Sequence, residues 1–242
     1  NTIEMDTKVT ADGEVILSHD DYMNPLMTTK PDGTFLTPEE KEKFPFMQMP
    51  YSEIKKFDVG MKYFPVYPRQ RKMKVGIPLL KDLIDSVQQY IKQTGKKQVF
   101  YNIETKSSRA GDNTLNPVPE VFVKKLMDVL ISKKITPYVI IQSGDERTLQ
   151  VLHEKYPYIR TSYLLGYNSR KQTLDDNLKV LGFLPFIYSP NYKLVDAKLV
   201  KACHEKGMKI IPWTPDTQEE INQLRALGVD GIITNYPELL VK

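Results

Sequence analysis

From Ile77 to the C-terminus the chain alternates segments of two hydrophobic periods, and this alternation restricts the fold more than any other feature. Leu79, Leu80, Leu83, Ile84, Val87 and Ile91 recur at helical spacing and stop at Gly95. Strand-like runs at 98–104, 138–142, 160–165, 186–189, 209–213 and 231–234 then alternate with helical runs at 119–134, 145–156, 174–181, 196–206 and 217–227, and a last helix starts at Pro237. Val123, Leu126, Met127 and Leu130 mark one apolar face, Asp145 stands at an N-cap position, and Gly207 and Gly228 stand just past two helix ends. Strict strand–helix alternation predicts an α/β fold with a parallel sheet.

The same count gives the architecture. With a first strand at Ile3 the chain offers seven strands, and a TIM (β/α)8 barrel needs eight. The deficit falls at the N-terminus, where residue 1 is Asn and the chain starts inside an apparent strand, so the expected fold is such a barrel with its first β/α unit outside this sequence. The length of 242 residues suits one domain, expected over 1–242. Residues 21–75 lack clear periodicity and read as an insertion after the second strand. Within it Asn24-Pro25, Lys30-Pro31-Asp32-Gly33 and Tyr67-Pro68 signal loops. Thr37-Pro38-Glu39-Glu40 reads as a helix start with a capping box, and 52–57 as a short helix. The Tyr, Phe and Met residues of the insertion are expected to line or cover a site, or else to pack against the barrel.

Chemistry concentrates in the first twenty residues. Glu4 and Asp6 are two apart, so on a strand they share a face, opposite Ile3 and Met5. Two carboxylates so close repel unless a cation lies between them, and hard divalent cations take oxygen ligands. Ala11-Asp12-Gly13 reads as a tight turn, Val15 to Leu17 as extended chain, and His19-Asp20 follow at its end. A histidine delivered beside a cation site suits proton transfer, because its pKa lies near neutrality. Each piece alone is common on solvated strands; the order of the pieces carries the signal.

That order resembles the core motif of the glycerophosphodiester phosphodiesterase family, which reads E-x-D, then T-x-D-G, then V-x-x-H-D; here it is I-E-M-D-T-K-V-T-A-D-G-E-V-I-L-S-H-D. The resemblance implies that Glu4 and Asp6 bind a divalent metal, Ca²⁺ or Mg²⁺, and that His19 is a catalytic acid or base. The family's H-R-G segment, on the preceding strand, is absent from this sequence. Glu104 and Lys106 match the family's E-x-K, implying a third metal ligand and a lysine beside the phosphate, catalytic and substrate-binding at once. Gln142-Ser143-Gly144 stands where the family often has Q-S-F, Ser189-Pro190-Asn191-Tyr192 resembles S-P-x-Y-x-L, and Pro212-Trp213-Thr214 resembles its W-T segment. Gln142, Tyr192 and Trp213 are the implied substrate-binding residues, with loop or core packing as the alternative for Tyr192 and Trp213. Residues 227–237 match the family's last strand except that Asn235 replaces an Asp, a change of local hydrogen bonding. His153 and His204 fall on helices and are assigned to surface or packing roles.

Composition narrows the partners. A net charge of +4 is mild for this length, and Arg69-Gln70-Arg71-Lys72 is too short to track nucleic acid and reads as a solvated loop. The expected partner is a small-molecule glycerophosphodiester, with no nucleic acid and no transmembrane segment; the oligomeric state is left open. One cysteine, Cys203, excludes an intramolecular disulfide, and its helical neighbour His204 points elsewhere, so a buried structural thiol is expected.

The expected reaction is metal-dependent hydrolysis of a glycerophosphodiester to glycerol 3-phosphate and an alcohol. Two rivals come from other classes: a Schiff-base lyase or aldolase barrel using Lys106, and a non-catalytic phosphodiester-binding barrel. The insertion resembles that of extracytoplasmic bacterial members, so a periplasmic or secreted location is expected, with the cytoplasm as the alternative.

Overall fold

The structure, a computed structural model, describes residues 2–241. The chain forms two compact units, Asn1–Phe100 with Glu104–Tyr138, and Tyr101–Ile103 with Val139–Lys242. The expected α/β class is what forms: the described residues give seven strands in a mostly parallel sheet, alternating with helices.

The first unit begins with β1 (Thr2–Val9) and β2 (Val15–Leu17), paired antiparallel with Thr7 opposite Leu17 and Val9 opposite Val15. The turn between them closes because Gly13 takes a φ of 81°, a conformation open to glycine, and its N–H reaches the Thr10 carbonyl at 2.9 Å. The Asp12 carboxylate accepts the Thr10 hydroxyl and the Tyr51 N–H, pinning the turn to the insertion. The strand order in this unit is β2-β1-β3, with β3 (Phe100–Thr105) joined to β1 by the Thr7 hydroxyl on the Glu104 carbonyl at 2.6 Å. The antiparallel β2 departs from the all-parallel expectation; a turn of a few residues can only return the chain beside itself in the opposite sense.

The insertion has a core of its own. Met23, Leu36, Phe46, Ile54 and Phe57 pack with Ile16 of β2 and with Ile77 and Leu79, which lead into α2 (Leu80–Thr94). Its secondary structure is short: 3₁₀ turns at Pro38–Lys43 and Phe46–Gln48, and α1 (Tyr51–Ile54). At the expected capping box the Glu40 carboxylate does accept the Thr37 N–H, but the turn it opens is 3₁₀. The unit ends with α3 (Pro119–Ser132), which buries Phe122, Val123, Leu126, Met127 and Leu130.

The second unit carries the regular alternation: β4 (Val139–Ser143), α4 (Glu146–Lys155), β5 (Arg160–Leu165), α5 (Leu174–Leu181), β6 (Ile187–Pro190), α6 (Ala197–Glu205), β7 (Lys209–Ile210) and α7 (Gln218–Leu227). β4 to β7 pair in parallel and in sequence order. Local chemistry sets the helix starts. Asp145 caps α4, Asp196 caps α6, and Thr173–Asp176 and Thr217–Glu220 form capping boxes on α5 and α7. Two expectations change here. The strand at 209–213 pairs regularly only over Lys209–Ile210, because Pro212 has no N–H to give. Residues 231–234 form a single parallel bridge, Trp213 with Ile233, in place of a strand. Side chains take the hydrogen bonds a ladder would have used: the Asp230 carboxylate accepts the Ile210 N–H, and Asp216 accepts the Asn235 N–H and the Thr234 hydroxyl.

Candidate active site

The site lies in the first unit. β1 puts Glu4 and Asp6 on one face, as the period of two requires, while Met5 is buried on the other. β3 carries Glu104 next to its last residue, and Lys106 lies just beyond the strand, its N–H reaching the Thr7 carbonyl. One carboxylate oxygen each from Glu4, Asp6 and Glu104 lies within 4.8 Å of the others. The Lys106 ammonium sits among them, 3.3 Å from Glu104 Oε1 and 4.0 Å from Asp6 Oδ1.

Electrostatics follow from that crowding. Burial pushes the Glu104 carboxyl up to about 8; Lys106 opposes the shift and the charge of Asp6 adds to it. A carboxyl so disfavoured as an anion, beside two more, is a group whose charge lacks a full counterweight. The donor set is three carboxylates with no nitrogen or sulfur, which fits a hard divalent cation.

His19 reaches the site through the β1–β2 hairpin. The Ser18 N–H donates to the Asp6 carbonyl at 3.0 Å and carries the antiparallel register one residue past Leu17. His19 is the next residue, at the end of β2 where the backbone runs beside Asp6. Its side chain is 70% exposed, which leaves the ring open to substrate and solvent. Nδ1 faces Asp20 Oδ1 at 3.4 Å, and the Asn24 amide donates to the other Asp20 oxygen at 2.7 Å. The hydrogen bond from His19, aided by Asn24, holds the Asp20 carboxyl below its ordinary range.

Sequence reasoning missed Lys8 and Asp21, and it named Asp20 beside His19 without giving it a role. Lys8 follows Asp6 by two and so shares the acid face, a signal present in the period. It is buried, and its ammonium donates to the Asp21 carboxylate and, at 2.7 Å, to the Lys106 carbonyl. Burial holds its pKa below the ordinary lysine range, with Asp21 opposing.

The other expected residues lie in the second unit, where each polar group has a local partner. Gln142 is buried and its carbonyl accepts the Asn102 amide at 2.7 Å. The Tyr192 hydroxyl donates to Glu220 Oε1 at 2.6 Å, at the start of α7. Trp213 is half-buried and its indole N–H donates to the Ser189 carbonyl at 3.0 Å. His153 stacks on Phe183, and His204 Nε2 lies 2.9 Å from Asp230, the surface roles expected of both. The Cys203 thiol is buried and pushed up to about 12 by that burial, which makes it unreactive. Asn235 donates its side-chain amide to Asp216.

A family model described as the glycerophosphoryl diester phosphodiesterase family matches residues 1–239. The chain belongs to the glycerophosphoryl diester phosphodiesterase family. A glycerophosphodiester phosphodiesterase of Bacillus subtilis is 28% identical over 99% of this chain and 75% of its own. Among solved structures, one from Silicibacter pomeroyi, assigned as a glycerophosphoryl diester phosphodiesterase, matches with a TM-score of 0.85 at 26% identity, over 98% of this chain and 81% of that one. A phosphodiesterase of Oleispira antarctica, solved with the product sn-glycerol-3-phosphate, shares the fold with a TM-score of 0.73 at 19% identity, over 98% of this chain and 82% of that one. The fold of these glycerophosphoryl diester phosphodiesterases is TIM-barrel-like, and so is that of this chain.

Proposed function

We infer that this enzyme hydrolyses glycerophosphodiesters to glycerol 3-phosphate and an alcohol. The observation that carries the site assignment is the convergence of Glu4, Asp6 and Glu104 around one point, with Lys106 beside them and His19 delivered by the adjoining strand. The three carboxylates would hold one divalent cation, Ca²⁺ or Mg²⁺, which when bound supplies Lewis-acid polarisation of a phosphoryl oxygen.

The chain's own groups divide the remaining work. Lys106 offers positive charge to the phosphodiester, whose single negative charge the acids alone would repel. His19 exchanges a proton with the ester oxygen that leaves or the oxygen that attacks. Asp20 faces its ring and steadies it. In the net reaction the bond from phosphorus to the alcohol oxygen breaks, water supplies the new oxygen on phosphorus, and the alcohol leaves with a proton. Ion-paired to Glu104 and Asp6, Lys106 is poorly placed as a Schiff-base nucleophile, which argues against the aldolase rival.

The test is turnover of glycerophosphocholine, read as glycerol 3-phosphate released, before and after chelation and after return of Ca²⁺ or Mg²⁺ separately. Loss on chelation and recovery with one of the two ions is expected; full turnover in excess chelator overturns the metal assignment. An extracytoplasmic location is supported by the resemblance of the 21–75 insertion, and fractionation of the source cells checks it.

A further inference from the structure

Within the insertion, apolar side chains are treated in two different ways. Those between Met23 and Phe57 include the buried core of Met23, Leu36, Phe46, Ile54 and Phe57. From Met61 to Val75 every residue except Lys62 and Phe64 is exposed. Met61, Tyr63, Val66, Tyr67, Met73 and Val75 are exposed large hydrophobic residues, Tyr63 at 55% and Met73 at 58%. Scattered exposed apolar residues need no account, but six along one fifteen-residue stretch do.

The stretch is a built loop. Its neck is closed by the Val59 N–H on the Val75 carbonyl at 2.9 Å and the Met73 N–H on the Gly60 carbonyl at 3.2 Å. The approach is so close that a side chain at Gly60 would strike the Met73 carbonyl. Two turns follow inside, Phe64 to Tyr67 and Tyr67 to Gln70, and the Phe64 and Tyr67 rings meet edge to face, 5.4 Å between centroids. Lys62 anchors the near side on the Pro25 carbonyl and over the Phe35 ring. The apolar side chains are therefore presented by a closed scaffold.

Charge specifies what they are presented to. Lys62, Arg69, Arg71, Lys72 and Lys74 lie in this loop, and no Asp or Glu occurs between Asp58 and Asp82. The loop's five cations exceed the net +4 of the whole chain, so the remainder of the protein carries about −1. Lys72 extends over the Tyr63 ring, 5.6 Å from its centroid, placing cation and aromatic face together. Tyrosine rings with Lys and Arg beside them suit the headgroup level of a bilayer, where the ring enters the apolar boundary and the cation meets anionic lipid.

We propose that the loop Met61–Val75 docks the enzyme on an anionic lipid bilayer. The loop includes none of the residues of the carboxylate site, and docking needs neither metal nor substrate. Soluble glycerophosphodiesters are turned over whether or not the loop is engaged.

The test is vesicle flotation of the full chain with phosphatidylcholine alone and with phosphatidylcholine containing about one third phosphatidylglycerol. Wild type floats with the anionic vesicles and stays behind with the neutral ones. The triple variant Arg71→Glu, Lys72→Glu, Lys74→Glu loses at least about a hundredfold in partitioning, since each charge near an anionic surface contributes on the order of fivefold. The double variant Tyr63→Ser, Met73→Ser loses on the order of tenfold, because apolar insertion adds to the ionic attraction. Both variants change only exposed side chains, and both keep wild-type turnover of glycerophosphocholine and wild-type melting. Failure of wild type to float overturns the proposal. So does equal binding of wild type and the Tyr63→Ser, Met73→Ser variant to soluble duplex DNA and to vesicles, which marks a purely ionic patch. Loss of turnover on the soluble substrate in either folded variant overturns it too, because the loop would then serve the active site.

Discussion

The Lys8 ammonium donates to the Lys106 main-chain carbonyl at 2.7 Å, so a single buried cation ties the strand bearing Glu4 and Asp6 to the strand end bearing Glu104 and Lys106. The same ammonium holds Asp21, two residues beyond His19. Three segments that carry the residues of the proposed site thus share one donor.

Replacing that donor tests the tie. Lys8→Met removes the bond to the Lys106 carbonyl and leaves Asp21 without its partner, at an expected cost of about 1–3 kcal/mol. Asp21 is about one third exposed, and water screens part of its loss. Urea unfolding of Lys8→Met, Asp21→Asn and the double variant should show coupling of at least about 0.5 kcal/mol. Strictly additive costs would mean that the contact stabilises nothing.

The Glu104 carboxyl gives a pH dependence whose sign follows from its direction. Its pKa is raised in the folded protein, chiefly by burial, to about 8. The folded state therefore binds the proton more tightly than the unfolded state. Its contribution to stability is complete below the ordinary glutamate range and is lost as pH rises through about 8. Chelated protein should unfold at progressively lower urea between about pH 5 and about pH 8, and Glu104→Gln should flatten that trend. A cation needs the carboxylate form, so its apparent affinity should climb over the same interval, with protons released on binding. Calorimetry in buffers of different ionisation enthalpy reads that release; pH-independent affinity would remove Glu104 from the ligand set.

His19→Ala should lower kcat by about 10²–10⁴-fold, the usual scale for a positioned acid or base. Cation affinity should hold, since the proposed ligands are carboxylates, and the same change at His153 or His204 should leave kcat near wild type. If His19 protonates the departing alcohol, its loss should matter less for a nitrophenyl phosphodiester, whose leaving group needs no proton. Equal defects on alkyl and aryl esters would assign His19 as the base.

Phe46 is the largest fully buried side chain of the insertion core. Phe46→Ala should cost about 3–5 kcal/mol by denaturant unfolding. A cost under about 1 kcal/mol would show that the insertion contributes little to the cooperative fold.

The helices of the second unit were legible from their apolar period and from ends written in side chains, Asp145 as a cap and Gly207 and Gly228 as left-handed stops; the structure adds caps at Thr173, Asp196 and Thr217. The strand expected at 231–234 was not, because Asp230 and Asp216 compete for the backbone from outside the segment, which no local period records. The insertion core was hidden for another reason: its helices are one turn long, too short to repeat an apolar spacing. At the site, Glu4 and Asp6 were visible in a period of two, and Glu104 and Lys106 repeat it. Lys8 obeys the same period, yet its partners Asp21 and Lys106 come from elsewhere in the chain, and only the fold pairs them. For Gln142, Tyr192 and Trp213 the strand-end position was readable, whereas their local bonds to Asn102, Glu220 and Ser189 were not.

The β1–β2 hairpin also sets an order of assembly. Asp6 and His19 are joined by a turn that closes cheaply, so a chain still being synthesised can bring them together early. Glu104 and Lys106 are added about a hundred positions later. Until then the nascent chain offers two of the three carboxylates of the proposed cation site, and lacks the lysine that tempers their repulsion. On the proposed assignment, cation capture waits for the β3 end to be laid beside β1, and a truncated or stalled chain would gain no stability from the ion.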